Sequence, residues 1–311
     1  MSSAGGERAF QDACATFRTV TDGAPDDVPL ARGALLIALA EHPDLDVHAY
    51  EQRIARISEE ARRRLAATAG DPLPARAAPL HELLFDELGF HGDEQRSGSV
   101  EALLLSGVLD ARRGMPVTLA LLYAEVGRRA GLPTDVVGLP GHVIARLGAP
   151  PPPGAEPPPE GSEEAAGDAG TTTLVDVFAG GRLLSATDCR AMVRRIYGGR
   201  TGASPHMLAA ITARQVLQRM ILTLKALALE EGDEERRGRA LELQLALFPW
   251  DLDGIRERGL LRERSERYAD AIPDLEAYVR HRPAAPDAHA VAEALRTARA
   301  HERERARSTR P

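Results

Sequence analysis

The sequence predicts an α+β fold, mostly helical with a small antiparallel sheet, followed by a wholly helical C-terminal region. Three observations predict it. The segment PVTLALLYAEVGRRAG, beginning at Pro116, is apolar on nearly every side until Arg128, as a buried helix is. Two β-branched stretches punctuated by Gly and Pro follow it, TDVVGLPGHVIARL and TTTLVDVF, and these read as strands. From Pro205 onward, helical patterns succeed one another with short breaks between them.

The N-terminal stretch 1–29 carries no strong pattern and is expected to be poorly ordered or peripheral. Residues 30–65 read as two helices separated by Pro43, the second with Tyr50, Ile54, Ile57 and Leu65 near one face. A loop around Gly70 to Pro79 leads into the helix HELLFDELGF, stopped by Gly89. One further helix is expected from Val100 to about Ala111. In the buried helix, Pro116 suits the first turn, where a missing N–H costs nothing, and Gly131 suits the C-terminal stop. The proline-rich, acidic stretch 148–170 has no large apolar residues, so it is expected to be a flexible loop joining a hairpin. The spacing thus suggests a first domain over 30–204, a helical region over 205–302 and a disordered tail over 303–311.

Composition narrows the function classes. The chain has 311 residues, 43% hydrophobic and 27% charged, which suits two modest globular domains. A net charge of -7 argues against a general nucleic-acid binder, since phosphate recognition starts from clustered Lys and Arg. Apolar runs such as Ala34 to Ala40 are too short to cross a bilayer, so no membrane partner is expected. The start MSSAGGERAFQD lacks the basic and apolar regions of a secretory signal, which leaves the cytoplasm as the default. Two cysteines, Cys14 and Cys189, build neither a disulfide framework nor a structural zinc site. His81, His91, His206, His281 and His289 show no metal-ligand spacing, and no metal or cofactor is expected. Gly180 to Arg182 form a turn without the Gly-Lys-Ser/Thr signature of a phosphate loop.

The stretches GMPVTLALLYAEVGRRAGLPTDVVGL, GHVIARL and LVDVF resemble, in that order, the cysteine helix, histidine strand and aspartate strand of the transglutaminase-like (papain-like) fold. The resemblance implies His142 as base and Asp176 as the acid that orients it. It places the nucleophile position on Pro116, which keeps the helix start but has no thiol. In such a site the helix N-terminus lowers the thiol pKa and the base takes its proton. Thr118 is a poor substitute, because two helical positions turn a side chain to roughly the opposite face. Cys189, in SATDCRAMVRRIYG, sits at a helix start, so a reactive thiol and a small core hydrophobe are both open, the second being favoured. Cys14 reads as core. Arg112 and Arg113 read as surface solubility, with an anion contact as the alternative.

Over roughly residues 30–283 the arrangement resembles the SirB-type family, through ARRGMPVTLALLYAEVGRRAGLP, GLPGHVIARL, LVDVFAGGRLLS and IRERGLL. In that family the residue after GM or GI is commonly Pro, an Asn stands where this chain has Ser106, and FAGG usually reads FNGG. The resemblance implies a transglutaminase-like domain followed by tetratricopeptide (TPR) helices and an indirect role in regulating gene expression. Tyr268, Ala271, Leu275 and Pro283 independently meet the spacing of such a repeat. Tyr268, Leu275 and Tyr278 are the candidate partner-binding residues.

The leading expectation is a non-catalytic interaction or regulatory protein that binds another protein or peptide. The alternatives are a cysteine-dependent amidase or transglutaminase-type enzyme using His142 and Asp176 with an atypical nucleophile, and a purely structural adaptor.

Overall fold

The computed structural model describes residues 3–25, 27–93, 98–139, 141–148, 172–197 and 208–308. The chain folds into two compact units, Met1–Ala13 with Thr19–Met220, and Cys14–Arg18 with Ile221–Pro311. Most of the loop expected over 148–170 and the last three residues lie outside the described residues.

In the N-terminal stretch, where a poorly ordered or peripheral segment is expected, helix α1 spans Ser3–Thr21 and buries Phe10, Ala13 and Phe17. Their spacing of three and four residues is a helical stripe, too sparse in large apolar residues to stand out by composition. Helix α2 (Leu30–Glu41) ends before Pro43, and α3 (Val47–Leu65) starts at Asp46, whose carboxylate caps the amide of Ala49 at 3.0 Å. The buried stripe of α3 is Ile54, Ser58, Ala61 and Leu65, so Tyr50 and Ile57 lie at its margins. Helix α4 (Leu73–His81) begins within the expected loop and carries Pro79 inside it. It runs on into a π-helical turn over Glu82–Glu87, where Leu88 N–H reaches back to Leu83 O at 3.0 Å. Gly89, at φ +71, ends it as expected.

The helix expected from Val100 to Ala111 is broken in two, α5 (Val100–Leu103) and α6 (Leu105–Ala111), by an extended Leu104 with ψ 134. The break turns two carbonyls outward from the helical ladder. Ala102 O accepts from Met115 N–H at 2.7 Å, and Leu103 O accepts from the Thr118 hydroxyl at 2.5 Å. Both donors belong to the start of α7 (Pro116–Arg129), the buried helix, which is therefore docked by its first turn. Pro116 is its first residue, and Gly131 at φ +90 follows its end.

Two short strands, β1 (His91–Gly92) and β2 (Arg113–Gly114), pair in parallel. The main sheet is antiparallel, in the order β3 (Thr134–Leu139), β4 (His142–Gly148), β5 (Thr172–Asp176), β6 (Arg182–Leu184). Leu139 pairs with His142 across a tight hairpin containing Gly141 at φ +74, and Gly148 pairs with Thr172. Alternation along the strands divides the sheet between two helices. Thr134 faces α7, donating to Ala124 O at 2.8 Å, with Gly127 closely apposed to it. Val137, Leu139, Ile144 and Leu174 face the other way and pack on Cys189 and Val193 of α8 (Ala186–Tyr197).

Helix α9 (Ala213–Glu231) starts later than its apolar pattern, because Ala210 bridges to Val137 and Ile211 N–H bonds to Val136 O at 2.9 Å. The remaining helices are α10 (Glu234–Leu247), α11 (Leu252–Arg264), α12 (Tyr268–His281) and α13 (Ala288–Ser308), the last extending well into the expected tail. Asp233 and Asp251 cap α10 and α11. Ala271 is fully buried, and at the α11–α12 crossing a Cβ on Gly259 would lie 2.9 Å from Leu275, so a glycine as well as the expected alanine permits the approach.

Candidate functional site

Asp176 closes β5 and His142 opens β4, two antiparallel neighbours whose register sets the pair on one face of the sheet. The imidazole Nε2 stands 3.4 Å from Asp176 Oδ1, a long hydrogen bond, and both side chains are largely buried, 15% and 7% exposed. The same Oδ1 accepts from Ala179 N–H at 3.2 Å, and Gly181 N–H donates to Asp176 O at 2.9 Å. The turn after β5 thus aims the carboxylate, helped by Gly180 and Gly181 at positive φ. Because the contact at 179 is made by the backbone, alanine supplies it as well as the asparagine of the resembling family would.

Burial opposes ionisation of Asp176, but the His142 imidazole, the Ala179 amide and the Arg182 charge outweigh it and hold the carboxyl below the usual range. A neutral imidazole that donated its Nε2 proton to Asp176 would keep a lone pair on the other ring nitrogen, the arrangement that general-base chemistry requires. Phe178 meets the imidazole edge-on, centroids 6.3 Å apart. Its carbonyl accepts from Gly92 N–H at 3.0 Å, so β1 is tied to the turn that carries it.

Pro116 is half-buried at the head of α7 and has no proton to transfer. Thr118 is fully buried, its hydroxyl committed to Leu103 O. Cys189, on α8, is 1% exposed, and burial, with Asp188 and Asp176 adding to it, pushes its thiol up to about 12. Its helix-start position therefore lends no acidity, and it serves as core. Cys14 is also buried. Arg112 is exposed, as expected of a surface charge, takes a left-handed cap conformation after α6 and donates to Leu88 O at 2.5 Å. Arg113 approaches the buried Asp93 at 3.6 Å. Ser106, 3% exposed, lies inside α6.

The partner-binding candidates of the helical region separate. Leu275 and Tyr278 are 0% and 1% exposed, and the Tyr278 hydroxyl donates to Asp287 at 2.7 Å, so both hold α12 in the core. Only Tyr268 is partly exposed, with its ring stacked on His301 at 4.4 Å.

Several contributors were not evident from the sequence. His81 lies 2.9 Å from the Tyr123 hydroxyl, and burial pushes its imidazole pKa down. Phe85 stacks on Tyr123, and Gly181 rests on Phe85, where a Cβ would come within 2.3 Å of the ring. A glycine pair after the aspartate strand was the one available signal, and it marks a turn without naming what lies beneath it. Among the described residues no three His, Cys, Asp or Glu side chains gather as a metal site, and no helix is long and apolar enough to cross a membrane. His206 lies outside the described residues.

The succession of buried helix, histidine strand and aspartate strand agrees with a family match. Residues 48–222 match the transglutaminase-like superfamily, more than half of the chain. This chain belongs to that superfamily. Its transglutaminase-like domain is followed by a tetratricopeptide repeat match over residues 224–296. A UPF0162 protein of Xylella fastidiosa (strain 9a5c) is 30% identical over 271 residues, covering 86% of this chain and 88% of the relative, which places the chain among the UPF0162 proteins as well. UPF0162 protein YchA of Escherichia coli (strain K12) is 25% identical over 273 residues, 87% of this chain and 93% of that one. F-box only protein 21 of Mus musculus is 27% identical over 177 residues, which is 55% of this chain and a quarter (25%) of that protein. No solved structure matches.

Proposed function

We propose that the chain is a non-catalytic protein-interaction or regulatory protein of the SirB type, acting in the cytoplasm through a degenerate transglutaminase-like domain and TPR-type helices. One observation carries this reading: the head of α7, where the family resemblance puts the nucleophile, is Pro116. A base and its orienting acid cannot form an acyl-enzyme without an atom to acylate. The buried, weakly acidic Cys189 supports the same reading, because the thiolate is the nucleophile and this one forms only far above neutral pH. TPR helices typically bind other proteins, and the match over 224–296 supports a partner of that class.

The preserved approach of His142 to Asp176 favours the rival, a cysteine-dependent amidase or transglutaminase-type enzyme. Incubating the purified chain with a glutamine peptide and a labelled amine separates the two. The expected result is no incorporation above that of the His142→Ala variant, together with a protein partner retained on the immobilised wild-type chain. Incorporation that disappears in His142→Ala would overturn the proposal.

A further inference from the structure

The hairpin that carries His142 is gripped from outside the sheet. Strand β3 lies at the end of the strand order, and residues two apart along it turn their carbonyls to the same side. Val136 O accepts from Ile211 N–H at 2.9 Å. The next carbonyl on that side, Gly138 O, accepts from Arg219 Nη2 at 3.4 Å, and Leu139 O accepts from Arg219 Nη1 at 3.4 Å. Leu139 is the cross-strand partner of His142, so the guanidinium holds the strand pair at the point where it turns.

The two residues are matched in shape. A Cβ on Gly138 would lie 2.7 Å from Arg219 Nη2 and 3.0 Å from its Cζ, so the planar group rests on bare backbone, the close approach that a glycine inside a strand permits. Arg219 projects from α9, whose Val216, Leu217 and Met220 are buried and whose Arg214 donates to Thr21 O and Gly23 O at 2.5 and 2.7 Å. The arginine therefore starts from an anchored helix, and its fork reaches two carbonyls at once. His142 meets Asp176 at 3.4 Å, near the limit of hydrogen bonding, so a small shift of the hairpin is enough to part them.

We propose that Arg219 is the positioning residue of this pair: seated on Gly138, it holds the β3–β4 hairpin where the His142 imidazole reaches the Asp176 carboxylate. The assignment goes beyond the reading of the chain as an interaction protein and does not depend on it, because it concerns how the pair is kept together and not what the pair acts on. Asp176 reports the contact. Against burial, His142, the Ala179 amide and Arg182 hold its carboxyl below the usual range, and a loosened hairpin withdraws the first of these.

The test is an NMR titration of the Asp176 carboxyl in the full chain labelled with carbon-13 aspartate, the signal being assigned by its loss in Asp176→Asn. Arg219→Ala and His142→Ala are each expected to raise the Asp176 midpoint toward the ordinary carboxylate value. The double variant is expected to titrate like His142→Ala alone, since without the imidazole the arginine has nothing to position. Gly138→Ala keeps the Arg219 charge and puts a methyl group where the guanidinium rests, so it is expected to give the same rise, and it decides the matter if Arg219→Ala fails to fold. Arg219→Lys is expected to lie between wild type and Arg219→Ala, because one ammonium replaces only part of the fork. An Asp176 midpoint unchanged in Gly138→Ala would overturn the assignment. So would a rise on Arg219→Ala that persists in the His142→Ala background, which is the mark of a direct charge effect or a general loosening of the fold.

Discussion

Gly92 lies directly beneath the ring of Phe178, where a Cβ would come within 2.3 Å of the aromatic carbons. The same ring meets His142, so space at residue 92 governs where the imidazole's neighbour stands. Gly92→Ala is expected to overpack this contact at a cost of about 1–3 kcal/mol. A thermal melt reads the loss, and the ring-proton signals of His142 are expected to shift in the same variant.

Thr118 tests the docking of α7. Its hydroxyl donates to Leu103 O in a fully buried position, so Thr118→Val keeps the shape and strands a carbonyl. The expected loss is about 1–3 kcal/mol, measured as a lower urea midpoint with an unchanged slope.

Asp176 gives stability a dependence on acid. Its carboxyl in the fold lies below the ordinary value of about 3.9, held there against burial by His142, Ala179 and Arg182. A depressed folded-state value means the stabilisation is complete above the unfolded value and is lost as pH falls through the folded one. Urea unfolding of wild type and Asp176→Asn is therefore expected to differ most above about pH 4 and to converge in stronger acid. A difference that grows toward low pH would contradict the assignment.

Cys189 predicts a rate. Buried against Val193 and Leu174, with its pKa pushed up to about 12, it is expected to react with iodoacetamide only as fast as the surrounding unit opens. Mass spectrometry of the labelled chain at increasing urea checks this. Rapid labelling of the native protein, lost on Cys189→Ala, would reverse the conclusion.

What could be read from the sequence was local. The apolar run after Pro116, the β-branched stretches around His142 and Asp176, and the Tyr268 to Pro283 spacing all carry their periodicity within a few residues, and each corresponds to an element of the structure. What could not be read depends on distant partners. The kink at Leu104 exists because Met115 and Thr118 take up the exposed carbonyls, and β1 and β2 are too short to show any alternation. The site divides in the same way. The order of His142 and Asp176 was visible, whereas the Ala179 amide and the Gly92 and Gly181 ring contacts are backbone and shape effects that no residue type announces. Leu275 and Tyr278 fit the repeat spacing because they are core, and that spacing does not distinguish packing from recognition.

The pairing of Gly148 with Thr172 brings the chain out of the sheet and back into it at adjacent points. Lengthening a connection between neighbouring points adds little closure entropy, about 0.6 kcal/mol per doubling. This hairpin is therefore a natural graft position, where an inserted epitope or fluorescent reporter leaves the two halves of the sheet in register.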